Sequence, residues 1–128
     1  MDDIINKINN AVKKIKSYKD TSAIILFGSY AKKRATKFSD VDLCVIGNFD
    51  DYTKALIDSI SDELIQISFF DEIPIAVKYR VLAEGKVLYL KNKNLLTNLK
   101  SRTISDFLDY RSIADYYYKR VYGWKYRI

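Results

Sequence analysis

The 128-residue sequence predicts one α/β domain over residues 1–128, with a mixed sheet of about three to four strands, flanking helices and a C-terminal helical extension. Three observations favour this fold class. Short apolar runs typical of strands alternate with longer segments that repeat apolar residues at helical spacing. Helical stretches of about ten residues separate some of these strands, which indicates that part of the sheet is parallel. No repeat, low-complexity tract or linker divides the chain.

The first half of the chain is expected to hold a helix and two buried strands. Residues 3–18 carry one apolar stripe at helical spacing, with lysines on the opposite face. Residues 23–27 form a short apolar run that ends at a Gly-Ser pair, which predicts a buried strand. One or two helical turns are expected over residues 30–36. Residues 39–46 alternate and then become fully apolar, as expected of a central strand.

The third strand follows a second helix. Asp50 and Asp51 supply an N-cap for a helix near residues 52–62, whose apolar residues keep i, i+4 spacing. Residues 63–70 then alternate between a drier and a wetter face, which predicts a strand.

The remaining elements are a helix, an edge strand and the extension. The only proline, Pro74, opens a helix that Gly85 is placed to end. Residues 86–90 read as a short edge strand, which completes a core over about residues 20–92. Over about residues 94–128, apolar and aromatic residues keep helical spacing, so either one long helix or a bent pair is expected.

Composition and charge exclude several function classes. The chain has no histidine and one cysteine, which rules out Ser-His-Asp and Cys-His nucleophile systems and the common zinc sites. Carboxylate and metal chemistry remains. The net charge is +6, and the excess lies in residues 32–37 and in the C-terminal third. Such a surface favours phosphates, nucleic acid or an acidic protein, although a merely solubilising surface accounts for it equally well.

The sequence is also that expected of a cytoplasmic protein. Cys44 lies in an apolar run and is interpreted as a core residue in a reducing compartment. No run approaches the roughly 18 apolar residues of a membrane span. The N-terminal segment is amphipathic, without the basic head and apolar block of a secretory signal. We therefore expect no membrane contact.

The most informative segment is residues 24–43, where a Gly28-Ser29 turn is followed ten residues later by Asp40 and Asp42. On a strand, residues i and i+2 share a face, about 7 Å apart. Two such carboxylates repel unless a cation lies between them, and Mg²⁺ prefers hard oxygen ligands. Taken alone, a solvated strand end explains this spacing more often than a metal site does.

The glycine turn adds a second element to the same segment. Gly28 lacks the Cβ that blocks close approach of the backbone, and a helix starting near residue 30 would direct free N–H groups at a phosphate. The Ser29 hydroxyl would contact the phosphate or merely cap that helix. The combination of strand, turn, basic loop and paired aspartates predicts a site for a nucleoside triphosphate with Mg²⁺.

The segment LFGSYAKKRATKFSDVDL resembles the signature of the minimal nucleotidyltransferases (MNT), a small branch of the DNA polymerase beta superfamily. The family pattern is Gly-Ser, ten residues, then Asp-x-Asp, and it matches without a gap. Members often read Ala-Arg-Gly where this chain has Ala-Lys-Lys. Further along, IPIAVKYRVLAEGKVLY resembles the family's helix and glycine-turned strand. FLDYRSIADYYYKR resembles the C-terminal helix of MNT proteins encoded beside HEPN-domain toxins, so the resemblance covers roughly residues 20–122.

The resemblance implies the small nucleotidyltransferase fold, a substrate and a partner. Family members bind ATP with Mg²⁺ and transfer AMP to a hydroxyl, and MNT antitoxins modify a tyrosine of the HEPN ribonuclease. Carried over, Gly28 and Ser29 hold the triphosphate, and Asp40 and Asp42 are the catalytic, Mg²⁺-binding pair. Lys32 takes the place of a phosphate-neutralising arginine.

One position departs from the family pattern. The third carboxylate of the family lies on the next core strand, and alignment back from Gly85 places Gln66 there. A glutamine is a poor Mg²⁺ ligand and no base, which puts catalysis in doubt. Asp71 and Glu63 are nearby in sequence, but both differ in strand parity from Gln66, so only a bulge or slipped register would bring one into place.

The C-terminal end is crowded with aromatic and basic residues. Three consecutive tyrosines, residues 116–118, cannot all pack on one helix face, so some are exposed or contact another chain. Tyr116, Tyr118, Arg120 and Trp124 are candidates for a protein partner, because Tyr, Trp and Arg are enriched at interface centres. Stacking on RNA or plain packing are the alternatives, with nucleic acid the less favoured ligand.

The leading hypothesis is therefore an antitoxin enzyme that binds ATP and Mg²⁺, forms a hetero-oligomer with a HEPN toxin and transfers AMP to it. The first alternative is a non-catalytic protein that masks its partner, with Gln66 marking the lost activity. The second alternative is nucleotidyl transfer to a small molecule, which usually requires an additional domain.

Overall fold

The computed structural model describes residues 2–28 and 41–122, in which four α-helices and four strands are formed. In chain order these are α1 (Asp2–Lys16), β1 (Thr21–Phe27), β2 (Val41–Gly47), α2 (Asp51–Asp58), β3 (Ile65–Phe69), a 3₁₀ turn (Phe70–Glu72), α3 (Ile75–Glu84), β4 (Lys86–Leu90) and α4 (Lys93–Tyr122). The predicted α/β class is confirmed. The helical turns expected over residues 30–36 lie outside the described residues.

The four strands form one mixed sheet in the order β3-β2-β1-β4. The β1 strand is antiparallel to both β2 and β4, whereas β2 and β3 are parallel. The parallel pair is joined through α2, since parallel neighbours require a crossover connection. The prediction of β2 as a central strand and β4 as an edge strand is confirmed.

Each face of the sheet is covered by two helices. On one face, α1 and α2 bury Ile15 and Ile57 against the β1 and β2 side chains Ile24 and Leu43. On the other face, Val81 of α3 packs on a separate cluster that includes Cys44 of β2. Each fully buried isoleucine contributes about 1.5–3 kcal/mol through removal of apolar surface from water.

The helix predicted near residues 52–62 is shorter than expected. It is capped by the Asp50 carboxylate, which accepts a hydrogen bond from Thr53 N–H at 2.7 Å, as predicted, but it ends at Asp58. Beyond it, the Asp62 carboxylate accepts the N–H groups of both Leu64 and Ile65 at 2.8 Å. This side-chain turn takes over the backbone donors, so β3 starts only at Ile65.

The helix predicted between Pro74 and Gly85 is confirmed as α3. Gly85 ends it with an ordinary φ of −73°, and what the position requires is space. A Cβ there would collide with the Ile25 side chain and the Val81 carbonyl. Glycine is therefore required at this position because its backbone lies directly against β1.

Up to Tyr122, the last residue described, the C-terminal extension is one continuous helix, α4, of 30 residues rather than a bent pair. It packs on α3 through Phe107, whose ring stacks on Tyr79 with centroids 4.4 Å apart. None of the helices within residues 2–28 and 41–122 has the length and hydropathy of a membrane span.

Candidate functional site

The candidate site lies at the end of the sheet where β1 ends and where β2 and β3 begin. In the strand register, Asp42 of β2 pairs with Phe27 on one side and with Gln66 of β3 on the other. Gly28 follows Phe27 directly. Three predicted site positions therefore lie side by side: Gly28, Asp42 and the substituted third position, Gln66. Gln66 is 38 positions after Gly28 in the chain.

Two features require glycine at position 28: its left-handed backbone conformation and the closeness of Asp42. Its φ of 82° lies in the left-handed region, which costs other L-residues roughly 1–2 kcal/mol. A Cβ atom at this position would lie 2.7 Å from the Asp42 Oδ2 atom. The absence of a Cβ atom thus allows the Gly28 backbone to approach the Asp42 carboxylate closely.

Asp42 is half-buried on the sheet face that α3 and α4 cover. It shares this face with Cys44 and Ile46, because alternate residues of a strand point to the same side. Gln66 pairs with Asp42 in register and is exposed to solvent. A carboxylate and an amide oxygen therefore border the same end of the sheet, where the expected metal–triphosphate would have to bind.

Some of the predicted site residues lie outside the described residues. These are Ser29, Lys32 and Asp40 of the motif and Trp124 of the extension. Within the described ranges, no three Cys, Asp or Glu side chains are grouped to hold a metal ion. Asp42 still fits one requirement of such a site, because its carboxylate faces the space that a Cβ on Gly28 would fill.

Two other carboxylates near β3 lie elsewhere. Asp71 follows the far end of the strand and accepts a hydrogen bond from the Lys54 amine at 3.0 Å. Glu72 lies 3.7 Å from the same amine. Glu63 is exposed in the turn before β3. None of the three is a register partner of Asp42, so Gln66 is the β3 residue beside it.

The single cysteine is placed to be inert. Cys44 is two residues beyond Asp42 on the same face and is fully buried. Burial, and to a smaller extent the Asp71 carboxylate, raise the pKa of its thiol to about 12. A thiol that does not ionise near neutrality is a poor nucleophile, so Cys44 has no chemical role at this site.

A model of the family described as polymerase beta, nucleotidyltransferase matches residues 6–94. The chain belongs to this nucleotidyltransferase family. The matched range runs from α1 to the start of α4, so it includes the glycine turn, both motif aspartates and Gln66.

Among curated proteins, the nucleotidyltransferase chain is 32% identical over 66 residues to a Methanocaldococcus jannaschii protein named as a candidate protein adenylyltransferase. The match covers 52% of this chain and 53% of that protein. The chain therefore spans about half of the length of the curated relative that it matches.

Two solved structures show the same nucleotidyltransferase fold. A chain from the crystal structure of a toxin–antitoxin complex with AMP-PNP has a TM-score of 0.71 and 20% identity, covering 91% of this chain and 96% of that one. A chain from the complex of the tri-AMPylated Shewanella oneidensis HEPN toxin with its MNT antitoxin has a TM-score of 0.63 and 19% identity, covering 90% and 98%. The predicted small nucleotidyltransferase fold is confirmed.

The C-terminal helix of this nucleotidyltransferase presents an exposed aromatic surface. The Tyr116 side chain is 64% exposed, and the Arg120 guanidinium lies 5.5 Å from the centre of its ring. Ile113, one helical turn before Tyr116, is 69% exposed. The side chain of Tyr118 lies outside the described residues.

Sequence reasoning missed the residue that fixes the start of β3. Asp62 binds the N–H groups of Leu64 and Ile65, and its own N–H donates to the Ile65 carbonyl at 2.9 Å. These bonds fix where β3 starts, one residue before Gln66, which the strand register places beside Asp42. An aspartate three residues before a β-branched residue, after the apolar spacing of a helix has ended, is the signal that would have indicated this turn.

Proposed function

We propose that this nucleotidyltransferase is an MNT-type antitoxin that binds ATP with Mg²⁺ and transfers AMP to a hydroxyl, expected to be a tyrosine, of a HEPN-domain toxin. The observation that carries the proposal is the contact between Gly28 and Asp42. The two ends of the Gly-Ser-x₁₀-Asp-x-Asp motif meet at one sheet edge, with no side chain between the backbone turn and the carboxylate.

In this proposal each motif residue has a defined task. Asp42, together with Asp40, holds the Mg²⁺ that comes with the triphosphate, and Gly28 and Ser29 present backbone and hydroxyl donors to its phosphates. Lys32 supplies positive charge. Mg²⁺ held by these aspartates would supply the positive charge that offsets the charge of the phosphates and of the leaving pyrophosphate. The acceptor hydroxyl releases its proton to solvent and its oxygen forms a bond to the α-phosphorus, while the bond from that phosphorus to the bridging oxygen breaks and pyrophosphate leaves.

The comparisons support this choice of substrate and partner through what is known of the related proteins. The curated relative is named as a protein adenylyltransferase candidate, and the solved structures of the same fold are toxin–antitoxin complexes, one with AMP-PNP and one with a tri-AMPylated HEPN toxin. The exposed Tyr116 and Arg120 of α4 offer a protein partner the residue types enriched at interface centres.

Gln66 favours a second candidate, a protein of the same family that neutralises its partner by binding alone. Gln66 is the register partner of Asp42 on β3, and the sequence resemblance assigns the family's third carboxylate to this residue. Its amide has no negative charge to attract a second Mg²⁺ and cannot take the proton of the acceptor hydroxyl. The two candidates share the fold, the complex and the nucleotide site, and they differ only in group transfer.

The decisive experiment follows the nucleotide. The purified chain is incubated with α-labelled ATP, Mg²⁺ and the HEPN-domain protein encoded beside it, and label on the HEPN protein is measured. We expect transfer that is lost in Asp42→Ala and retained in Asp3→Ala, which removes an exposed carboxylate of α1. A stable complex without label in either protein would support neutralisation by binding. If no label is transferred and no complex forms, both candidates are contradicted.

A second arm of the experiment tests Gln66 directly. If only the third carboxylate is lacking, Gln66→Asp raises transfer by about tenfold or more, in the range of a positioned acid or base. The neutral Gln66→Asn variant, which is closest to aspartate in size, is the matched control. An equal rate in both variants would mean that the position beside Asp42 takes no part in the reaction.

A further inference from the structure

The open edge of the sheet at β3 has a cleft beside it that the nucleotide site does not use. This cleft has a volume of about 540 Å³ and lies between α2 and the second half of β3. The α2 side is lined by Asp51, Lys54 and Asp58, and the strand side by residues 67–69. Gln66, which borders the nucleotide site, lies before it on the same strand.

The backbone of β3 is only partly blocked along this edge. Val41 N–H donates to the Leu64 carbonyl, and bonds between parallel strands alternate, so the backbone groups of Ile65, Ile67 and Phe69 point away from β2. Both backbone groups of Ile65 are hydrogen-bonded to Asp62: its N–H donates to the Asp62 carboxylate, and its carbonyl accepts from Asp62 N–H. Outside the sheet, no hydrogen bond to the backbone of Ile67 is found among the described residues. An unpaired stretch of this kind is a template for an added strand.

The charge of the cleft is opposite to that of the whole chain. Three acidic residues, Asp51, Asp58 and Glu72, line it with a single lysine, Lys54, although the chain carries a net charge of +6. Lys54 is already engaged by Asp71 at 3.0 Å and Glu72 at 3.7 Å, and the hydrogen bond to Asp71 raises the pKa of its amine. Asp51 also interacts electrostatically with Lys54, whereas Asp58 has no ion pair among the described residues. The cleft therefore favours a cationic occupant.

The cleft also has an apolar floor. Ile67 is half-buried and Phe69 is buried on the face toward α2, and Ala55 and Ile73 complete the lining. The Lys54 amine lies 5.4 Å from the centre of the Phe69 ring. An occupant that alternates apolar and basic side chains would match both the floor and the rim, and alternation is the property of a strand.

We propose that the β3 edge binds an extended segment of a partner protein that carries lysine or arginine at alternate positions and pairs with the backbone of Ile67 and Phe69. Backbone hydrogen bonds provide affinity in this binding mode, and side-chain pockets provide specificity. Nucleic acid does not fit, because the rim is acidic. A second copy of this chain fits less well, because pairing β3 with β3 about a two-fold axis would bring two acidic rims together.

The test uses fluorescent peptides of about eight residues, a length that spans the edge. A peptide of alternating lysine and valine is compared by fluorescence anisotropy with one of alternating glutamate and valine, and with a lysine–valine peptide N-methylated at alternate backbone positions. We expect saturable binding of the first, at least about tenfold weaker binding of the second, and loss of binding of the third. Equal binding of the N-methylated peptide, or no binding of any peptide, would overturn the proposal.

Protein variants locate the site. Asp58→Lys should weaken the lysine–valine peptide by about tenfold, whereas Asp109→Lys, an exposed charge change on α4, should leave it unchanged. Ile67→Pro removes an N–H donor that faces away from β2, a position where an edge strand tolerates proline. Equal losses in both charge variants would overturn the proposal. So would sedimentation showing self-association of the chain that Ile67→Pro abolishes, since the occupant would then be a second copy.

Discussion

The Oδ2 atom of Asp42 lies 2.7 Å from the position that a Cβ atom on Gly28 would occupy. This close approach joins the residue that directly follows β1 to a carboxylate on the neighbouring strand. Because Gly28 also has a φ of 82°, the position excludes other residues for two separate reasons, conformation and space. The first prediction separates these two effects.

Gly28→Ala is expected to destabilise the fold by about 1–2 kcal/mol through its left-handed φ, with a further cost from displacing Asp42. Urea unfolding of Gly28→Ala, Asp42→Ala and the double variant measures this further cost as a coupling free energy, expected at about 0.5–1 kcal/mol. In the double variant the Cβ collision is relieved and only the conformational cost remains. Additive effects within error would show that the collision does not contribute.

Gln66→Asp is expected to make the stability of the protein depend on Mg²⁺. Register partners on neighbouring strands lie about 4.8 Å apart, so a second carboxylate beside Asp42 repels it unless a cation is bound. We expect a melting temperature about 2–4 °C below that of the wild type in EDTA, recovering in millimolar Mg²⁺. Gln66→Asn should show no such recovery. A melting temperature of Gln66→Asp that ignores Mg²⁺ would contradict a shared cation site.

The Asp62 turn is expected to make a pH-dependent contribution to stability. Hydrogen bonds from Ile65 N–H and then Leu64 N–H lower the pKa of the Asp62 carboxyl below its usual value. A lowered folded-state pKa gives stability that is present above the unfolded value of about 3.9 and is lost as pH falls through the folded value. The difference in free energy of unfolding between wild type and Asp62→Asn should therefore be largest near neutral pH and shrink below about pH 4.

Chemical denaturation at several pH values measures this difference. Asp109→Asn, which removes an exposed carboxylate without such backbone bonds among the described residues, is the control for general charge effects. If the difference for Asp62→Asn grew on acidification, the sign of the linkage would be wrong and the turn would not be held by the charged carboxylate.

Cys44 is expected to be unreactive toward thiol reagents in the folded protein. Its side chain is fully buried, and its thiol has a pKa of about 12, raised chiefly by burial. Almost no thiolate is present at pH 8, and reagents cannot reach it. Reaction with a disulfide reagent should therefore follow the urea unfolding curve measured by circular dichroism. Rapid modification without denaturant would show that the face of the sheet bearing Asp42 opens readily.

Tyr116 is expected to contribute to binding of the proposed HEPN partner and little to folding. Its side chain is 64% exposed, so Tyr116→Ala removes few contacts within the chain. An interface tyrosine truncated to alanine typically weakens binding by about tenfold or more, which calorimetry or surface plasmon resonance measures. Tyr52→Ala on α2, where the tyrosine is 74% exposed, is the matched control. Equal effects of the two variants would place the interface elsewhere.

The helices and strands that are marked by a clear local sequence pattern were predicted correctly. The apolar run of β1, the Asp50 cap of α2 and the Pro74–Gly85 bounds of α3 are local signals, and each is present as predicted. The predicted end of the second helix was wrong by four residues, because the competing side-chain turn at Asp62 depends on hydrogen bonds rather than on apolar spacing. The sequence also left open whether the C-terminal segment forms one long helix or a bent pair. Apolar spacing indicates helix but constrains the direction of the helix axis only over a few turns.

The sequence by itself predicted which residues carry the chemistry: a Gly-Ser turn, two aspartates at strand spacing and a glutamine where the family resemblance places a carboxylate. Only the tertiary structure decided that Gly28, Asp42 and Gln66 are neighbours, because three strands pair there over long chain separations. It also decided that β3 is an edge with an acidic cleft beside it. Local sequence sets the conformation of each segment, whereas cross-strand register depends on burial of both sheet faces at once, which no single segment contains.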